Sequence, residues 1–281
     1  MAPMLWPEPL LWRIALGAGC AALIALAALR QGALTRDGAL AATLLGAVVF
    51  AFGGWAWAVL VVVFFVSSSA LSFLRQRLRP DIAPNAAKGA RRDAAQVLAN
   101  GGWLLLWALA NARWPHPAWS MAALGTLATA AADTWATEIG LLSPLPPRFI
   151  LDGREVPPGT NGGITPLGLL ASATAGLLLG FAAALLALLG GVRVPFAPGW
   201  LTLLGGVVGA CGALVDSLLG ATLQGVFFCP HCGEETEHRL HHCGTPTRHL
   251  RGWAWCNNDA VNALASLAGS LLALLMVRPF L

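Results

Sequence analysis

Charged residues are scarce in this chain of 281 residues, and tyrosine is absent from it. Only 11% of the residues are Asp, Glu, Lys or Arg, whereas 57% are hydrophobic and the mean hydropathy is +0.69. Soluble domains carry about 25% charged residues, so this composition excludes an ordinary water-soluble globular domain. It indicates a polytopic membrane protein, in which the 12 tryptophans can serve as anchors at the membrane surface.

Long apolar runs predict eight membrane spans in a single membrane domain, residues 1–281. A helix that crosses a bilayer needs about 17–25 predominantly apolar residues. The predicted fold class is an all-α polytopic transmembrane helical bundle, with one polar insert at 222–257 between the last two spans. The predicted spans are 10–29, 37–53, 55–74, 94–112, 117–139, 164–190, 199–221 and 258–278.

Charge asymmetry between the loops predicts the orientation of this bundle. When loop 75–93 is placed in the cytoplasm, 13 of the 17 Lys and Arg residues lie on the cytoplasmic side, as the positive-inside rule requires. Of the 13 acidic residues, all except Glu8 fall on or near the same face. The sequence therefore predicts an integral protein of a bacterial inner membrane, with both termini outside the cytoplasm and its polar chemistry facing the cytoplasm.

Acidic residues end two of the predicted spans on that face. Asp133 and Glu138 lie at the end of the fifth span, and Asp216 lies near the end of the seventh. A charge at the membrane boundary is costly and usually functional, and neighbouring carboxylates suit Mg²⁺. We predict that these three acids bind Mg²⁺ and nucleotide phosphates as the catalytic set, with purely structural carboxylates as the alternative. The polar neighbours predicted to bind substrate or nucleotide are Thr134, Thr137, Ser217 and Gln224.

Cations and amides cluster near other spans on the same face. Lys88, Arg91 and Arg92 precede the fourth span and can bind phosphate or anionic lipid headgroups. Gln96 and Asn100 follow one helical turn apart. The eighth span opens with more amide and carboxylate side chains than a helix N-cap requires. The other members of this predicted binding set are Ser68, Asn258, Asp259 and Asn262.

A glycine-rich polar segment, GTNGGIT at 159–165, precedes the sixth span. Consecutive N–H groups in a glycine loop can form an anion-binding concavity, and a helix N-terminus adds the positive end of its dipole. Thr160, Asn161, Gly162 and Gly163 are therefore predicted to cradle a phosphate, with a plain turn as the alternative. Together the polar clusters supply the metal, the charge neutralisation and the positioning that phosphoryl transfer needs.

The 222–257 insert contains four of the six cysteines. The segment CPHCG at 229–233 is a rubredoxin-like knuckle, and CG at 243–244 resembles half of a second one. Zn²⁺ takes four N or S ligands at such spacing, and cytoplasmic thiols are reduced, which favours a metal over a disulfide. A zinc-ribbon-like insert with a structural Zn²⁺ is predicted, and the lack of a sustained basic stretch argues against nucleic-acid binding. The predicted ligands are Cys229, Cys232, Cys243 and His241, with His242 or Cys256 as alternatives to His241.

The motifs in combination resemble one family of integral membrane proteins, over about residues 38–262. This family contains plant phytyl-phosphate kinase and animal transmembrane protein nineteen, and is also called domain of unknown function 92. The cysteine insert departs from the plant and animal pattern. The motifs that carry the resemblance are SSS at 67–69, QVLANG at 96–101, DTWATE at 133–138, GTNGGIT at 159–165, DSLLGATLQ at 216–224 and the Asn258/Asn262 pair.

The resemblance implies phosphorylation of an isoprenoid monophosphate, of phytyl or geranylgeranyl type, to the diphosphate. A more distant likeness to membrane phytol and dolichol kinases implies CTP as the nucleoside triphosphate that donates the phosphoryl group. Two alternatives use the same residues: a carrier or flippase for isoprenoid phosphates, and a CTP-dependent lipid-phosphate cytidylyltransferase. The crowding of polar groups on one leaflet favours chemistry over transport, because carriers commonly bind their substrates near the membrane midplane. The oligomeric state is left open.

Overall fold

The computed structural model describes residues 9–79 and 91–280 of the chain. Within these residues, eight long helices follow one another, each coinciding with one predicted span to within a few residues. The mainly helical fold predicted from the apolar runs is therefore confirmed. The helices are α1 Leu10–Arg30, α2 Arg36–Val48, α3 Trp55–Leu78, α4 Ala94–Arg113, α5 Pro117–Gly140, α6 Pro166–Leu188, α7 Trp200–Thr222 and α8 Asn258–Val277.

Two short helical turns complete the described helices. A π-helical turn, Val49–Gly53, continues α2, and a 3₁₀ turn, Arg278–Phe280, follows α8. The chain reverses between the π-helical turn and α3 at Gly54, which has a φ of 95°. This left-handed backbone conformation favours glycine because it has no Cβ. The tight connection predicted between the second and third spans is thus present.

Six helices in the described part of the chain are long and apolar enough to cross a membrane: α1, α2 with its π-helical turn, α3, α6, α7 and α8. α4 and α5 have 20 and 24 residues, enough to cross a hydrocarbon core of about 30 Å, but their sequences are more polar. Composition therefore supports six of the eight predicted spans, and spans at α4 and α5 stay a prediction.

α5 is the central helix of the bundle. It packs against α3, α4, α6, α7 and α8, and every residue from Met121 to Ala132 is buried. Most of these residues are alanine, threonine or glycine, whose small side chains let neighbouring helices approach closely. Because α5 contacts protein rather than lipid, it needs less hydropathy than a helix on the outside of the bundle.

Glycines also hold α6 close to α7. Gly176 and Gly180 form a GxxxG pattern on α6, and Gly205 and Gly209 form another on α7. A Cβ atom added at Gly205 would lie 2.8 Å from the Cα atom of Gly180, and one added at Gly209 would lie 2.9 Å from the Cα atom of Gly176. Such contacts require glycine, as in other closely packed membrane helices.

Two small sheets lie outside the helices. In the connection between α5 and α6, β1 (Arg148–Phe149) pairs antiparallel with β2 (Gly163–Ile164). In the 222–257 insert, β3 (Val226–Cys229) lies between β4 (Glu234–Thr236) and β5 (Arg248–Arg251), and pairs antiparallel with both. The predicted insert is therefore a small three-stranded sheet joined to the end of the bundle.

Candidate functional site

One pocket lies where α3, α5 and α7 end and α4, α6 and α8 begin. Its volume is about 260 Å³, and all six helices, the 159–165 loop and the 222–257 insert contribute to its wall. The N-termini of three helices are thus grouped at one pocket. Because a helix N-terminus carries partial positive charge, this arrangement favours an anionic ligand.

Most of the residues predicted to form the site line this pocket, although they come from distant parts of the sequence. Their convergence at one end of the bundle follows from the alternating directions of consecutive helices. The predicted residues in the wall are Arg92, Gln96, Asn100, Asp133, Thr134, Thr137, Glu138, Thr160, Asn161, Gly162, Gly163, Asp216, Ser217, Gln224, Asn258 and Asn262.

Three predicted residues do not line the pocket, and one cannot be placed. The guanidinium of Arg91 donates to the backbone oxygen of Leu34, at 3.4 Å. Ser68 is fully buried within the bundle, because its position on α3 lies one turn farther from the pocket than the wall. Asp259 is not part of the wall. Lys88 lies outside the described residues.

Asp133 on α5 and Asp216 on α7 face each other in the wall. Their carboxyl groups lie within hydrogen-bonding reach of each other. The Oδ2 atom of Asp216 is buried and has no hydrogen-bond partner in the described part of the chain. Two ionised carboxylates this close repel each other, so the pair requires either a shared proton or a bound cation. The arrangement is suited to a divalent cation with oxygen ligands.

Glu138, the third predicted acid, is bound by two side chains of α3. Its Oε2 atom lies 2.8 Å from Nε of Arg75, and its Oε1 atom accepts a hydrogen bond from Oγ of Ser72 at 2.6 Å. The side chains of Arg75 and Glu138 are only 6% and 13% exposed. This buried ion pair links α3 to α5 and fixes a cation in the pocket wall.

Arg75 and Ser72 line the pocket but were not predicted as site residues from the sequence. Arg75 belongs to the general excess of positive charge on the cytoplasmic side, so its presence in the sequence did not indicate a binding site. The signal that could have identified both is their spacing on α3. Ser68, Ser72 and Arg75 lie at positions i, i+4 and i+7, which places three polar side chains on one face of the helix.

Arg92 brings a second cation to the pocket. Its guanidinium lies over the rings of Phe64 and Phe65, 5.5 and 5.4 Å from their centroids, and its Nη1 atom lies 3.4 Å from Oγ of Ser69. Burial lowers the pKa of Arg92 to about 10, and the negative charge of Glu138 opposes this shift. Arg92 therefore remains charged at neutral pH and can bind an anion.

The 159–165 loop forms a smaller anion-binding surface than the sequence predicted. The backbone N–H of Thr160 donates to Pro157 and that of Gly163 donates to Thr160, at 3.2 and 2.9 Å. Within the described residues, the N–H groups of Asn161 and Gly162 have no hydrogen-bond acceptor. Two of the four predicted amides are thus available to a ligand, and both residues line the pocket.

The asparagines at the start of α8 have two different roles. Asn257 caps the helix, whereas Asn258 and Asn262 line the pocket. The side chain of Asn257 accepts a hydrogen bond from the N–H of Ala260 at 3.0 Å. Asn262 is 7% exposed, and its Oδ1 atom has no partner in the part of the chain that the structure describes. A buried, unpaired acceptor is costly, so this oxygen also indicates a ligand.

The insert contributes Glu237 to the same pocket. This residue follows β4, and its Oε1 atom accepts hydrogen bonds from Nε2 of Gln224 at 2.6 Å and from Nδ2 of Asn161 at 3.1 Å. It lies close enough to Asp216 for the two charges to interact. The sequence offered no signal for Glu237, because Glu234 and Glu235 precede it in the same polar segment.

Four side chains of the insert form a compact cluster of potential metal ligands: Cys229, Cys232, His241 and Cys243. One ligand atom from each lies within 4.8 Å of all the others. The cluster contains the predicted His241 and neither of its alternatives, His242 and Cys256. Hydrogen bonds with Thr245 and His241 lower the pKa of Cys243 to about 5, whereas a hydrogen bond with Cys243 raises the pKa of Cys232 to about 12, so Cys243 is the more readily ionised of these two thiols. Three sulfurs and one imidazole suit tetrahedral Zn²⁺.

Comparisons with known proteins agree with the membrane fold. The family described as integral membrane protein DUF92 matches residues 19–270. Protein PGR of Arabidopsis thaliana is 30% identical over 224 residues, which cover 74% of this chain and 77% of that protein. No solved structure matches the chain.

Two further relatives are described only as uncharacterized membrane proteins. One, from Methanocaldococcus jannaschii, is 28% identical over 203 residues, which cover 72% of this chain and 79% of the relative. The other, from Synechocystis, is 26% identical over 259 residues, which cover 90% of this chain and 86% of the relative. The similarity therefore extends over most of the chain, and the family match at residues 19–270 includes every residue that lines the pocket.

Proposed function

This chain belongs to the DUF92 family of integral membrane proteins, and we propose that it is a membrane kinase for an isoprenoid monophosphate. The proposed product is the isoprenoid diphosphate, and the proposed phosphoryl donor is a nucleoside triphosphate, with CTP favoured. The observation that carries this proposal is the facing pair of carboxyls, Asp133 and Asp216, in a pocket that also contains Arg75 and Arg92. A metal site next to two cations suits a polyphosphate ligand.

We assign the proposed Mg²⁺ site to Asp133, Asp216 and Glu237. The residues fit this ion because they are oxygen donors, and because Oδ2 of Asp216 is buried without a hydrogen-bond partner in the described residues. When bound, Mg²⁺ supplies positive charge that neutralises the phosphate oxygens. Glu138 was predicted as a third Mg²⁺ ligand, but its hydrogen bonds to Ser72 and Arg75 make it the residue that holds Arg75 in place.

Arg75 and Arg92 are the proposed phosphate-binding cations. They lie on α3 and immediately before α4, and both line the pocket. The free amides of Asn161 and Gly162 supply neutral donors from the loop, as expected for a phosphate cradle. Asn262 provides an amide side chain from α8 that can orient a phosphate or the nucleotide.

In the proposed reaction, an oxygen of the lipid monophosphate forms a bond to the γ-phosphorus of the donor. The bond between that phosphorus and the β–γ bridging oxygen breaks, and the nucleoside diphosphate leaves with the bonding electrons. A phosphate monoester has a second pKa of about 6, so its oxygen is already ionised at neutral pH. The pocket therefore needs no general base for this acceptor, and its task is positioning and charge neutralisation.

The proposed location is the inner membrane of a bacterium, with the pocket open to the cytoplasm and both termini outside. Nucleoside triphosphates and reduced thiols are both found in the cytoplasm, and the proposed substrate site and the cysteine cluster lie at the same end of the bundle. Reporter fusions at both termini test this orientation. Cytoplasmic reporter activity at either terminus would contradict it.

A transfer assay on the purified protein in detergent tests the activity. Geranylgeranyl or phytyl monophosphate is supplied with Mg²⁺ and each γ-labelled nucleoside triphosphate in turn. We expect label in a prenyl diphosphate with CTP, and none when EDTA replaces Mg²⁺. No label with any donor would contradict the kinase.

Two additional measurements separate the kinase from the alternative functions. Label entering the lipid from α-labelled CTP, with release of pyrophosphate, would identify a cytidylyltransferase. Prenyl phosphate binding without chemistry, together with its movement across the membrane of reconstituted vesicles, would identify a carrier. For the kinase we expect neither result. The placement of the polar residues in one pocket at one end of the bundle argues against the carrier, and the labelling pattern separates the kinase from the cytidylyltransferase.

A further inference from the structure

A second cavity, almost entirely apolar, lies between α1, α2, α3 and α4. Its volume is about 130 Å³, and its wall includes Leu45, Val62, Phe64, Phe65 and Leu104. Membrane helix bundles are closely packed, and voids larger than a water molecule are few. We call this cavity the apolar cleft. It has no part in the proposed chemistry or in the cysteine cluster of the insert.

The apolar cleft and the polar pocket share three residues: Arg92, Gln96 and Asn100 line both cavities. Arg92 is the clearest link between them. Its guanidinium lies over the rings of Phe64 and Phe65, which line the cleft. The same charge interacts with Glu138, which lines the pocket. The Arg92 cation therefore lies where the apolar cleft meets the polar pocket.

Small residues on two helices form part of the wall of the cleft. Gly17, Cys20 and Ala21 line it on α1, and Ala42 and Gly46 line it on α2. α1 packs mainly against α2 and the π-helical turn, whereas α5 packs against α3 and α4. The cleft lies between α1 and α2 on one side and α3, α4 and α5 on the other. No residue of α6 or α7 lines it.

We propose that the apolar cleft binds the hydrocarbon tail of the lipid phosphate, with the phosphate held at Arg92, Gln96 and Asn100. The inference rests on the proposed function, and it adds the place where the acceptor binds and the direction from which it enters the pocket. A ligand that fits both cavities must combine an anion with a branched or flexible apolar chain, which is the chemistry of an isoprenoid phosphate. Free inorganic phosphate would use only the polar pocket.

Val62 offers a substitution that fills the cleft without changing the pocket. It lines the cleft but not the pocket, so Val62→Trp should displace a tail and leave the phosphate site intact. Val59→Trp is a matched control, because Val59 is on the same helix, is 39% exposed, and lines neither cavity. Val62→Ala is a second control, since alanine cannot fill the cleft.

The experiment measures transfer to two acceptors by each variant in detergent. One acceptor is geranylgeranyl monophosphate, and the other is dimethylallyl monophosphate, which has the same head group and a five-carbon tail. We expect Val62→Trp to raise the KM for the geranylgeranyl substrate at least tenfold. The KM values for the short acceptor and the nucleotide should change less than twofold, as should all KM values of Val59→Trp and Val62→Ala. Equal KM values for the long acceptor in all variants would overturn the tail site.

A photocrosslinking experiment tests the cleft independently of catalysis. The probe is a geranylgeranyl monophosphate with a diazirine near the end of its tail, and crosslinked peptides are mapped by mass spectrometry. We expect crosslinks on α1–α4 that are lost in Val62→Trp and retained in Val59→Trp. Crosslinks spread over α6 and α7, or unchanged in Val62→Trp, would overturn the tail site. Crosslinks in the cleft without any transfer would support the tail site while contradicting the kinase.

Discussion

The protein contains two candidate metal sites that differ in chemistry and in packing. The polar pocket offers the carboxylate oxygens of Asp133, Asp216 and Glu237 within a cavity of about 260 Å³. The insert offers three sulfurs and one imidazole, whose ligand atoms lie within 4.8 Å of one another. An open set of oxygens leaves coordination positions for water and phosphates. A closed set of four soft donors leaves none.

This difference supports the proposal that the pocket performs chemistry and that the cysteine cluster of the insert stabilises structure. A closed tetrahedral site contributes folding energy to a small domain that has little core of its own. The insert has only three short strands, so such a contribution matters there. The pocket instead has buried oxygens without partners in the described residues, on Asp216 and Asn262. Glu237 belongs to both regions, because it is part of the insert and lies in the pocket wall.

The largest expected effect comes from Asp133→Asn. This change keeps the shape of the side chain but removes one of the two facing charges, so the proposed Mg²⁺ site is lost. We expect transfer activity to fall by about 10²–10³-fold, a typical loss when a key electrostatic group is removed. Asp152→Asn is the matched control, because Asp152 is exposed and pairs with Arg154 outside the pocket. Full activity in a folded Asp133→Asn protein would disprove the Mg²⁺ site.

The next largest effect is expected from Cys229→Ser, which removes a ligand from the insert cluster. We expect the purified variant to contain no Zn²⁺. Its transfer activity should fall about 10–100-fold, a typical loss when residues that hold a catalytic site in place are changed. The α-helical circular dichroism should persist, because the bundle does not depend on the insert. Cys211→Ser, which changes a cysteine of α7 outside the cluster, should retain both the metal and the activity. Zn²⁺ content unchanged in Cys229→Ser would disprove the cluster.

Glu237→Gln tests how the two candidate metal sites are connected, because Glu237 belongs to the insert but lies in the pocket wall. The glutamine oxygen can still accept the hydrogen bonds from Gln224 and Asn161, and the substitution removes the negative charge. We expect the Mg²⁺ concentration for half-maximal activity to rise about tenfold, while the Zn²⁺ content stays constant. Glu235→Gln, on the exposed part of β4, should change neither. An unchanged Mg²⁺ dependence in Glu237→Gln would limit the insert to a structural role.

The smallest effect is expected from His242→Ala. The ring of His242 contacts that of His241 in a tilted arrangement, with the ring centroids 3.9 Å apart, but His242 is not part of the ligand cluster. We expect His242→Ala to retain its Zn²⁺, and His241→Ala to lose it. Metal analysis of the two purified variants checks the assignment, and the opposite result would exchange the roles of the two histidines.

Much of the site was predictable because its residues are exceptional in an apolar sequence. Asp133, Asp216 and Asn262 interrupt long hydrophobic runs, where polar groups are costly and therefore stand out. Arg75 and Glu237 lie in segments already rich in charge, so nothing distinguished them from ordinary surface residues. Their roles depend on partners 63 and 76 positions away in the sequence, Glu138 and Asn161.

The sequence by itself determined the membrane location, the eight helices, the family and the end of the bundle where polar groups gather. It could do so because hydropathy and helix length are local properties of the chain. Only the tertiary structure decided that Glu138 pairs with Arg75, that Glu237 enters the pocket, and that an apolar cleft joins this pocket at Arg92. Those features arise from contacts between helices and loops far apart in the chain, and they depend on packing that no local pattern records.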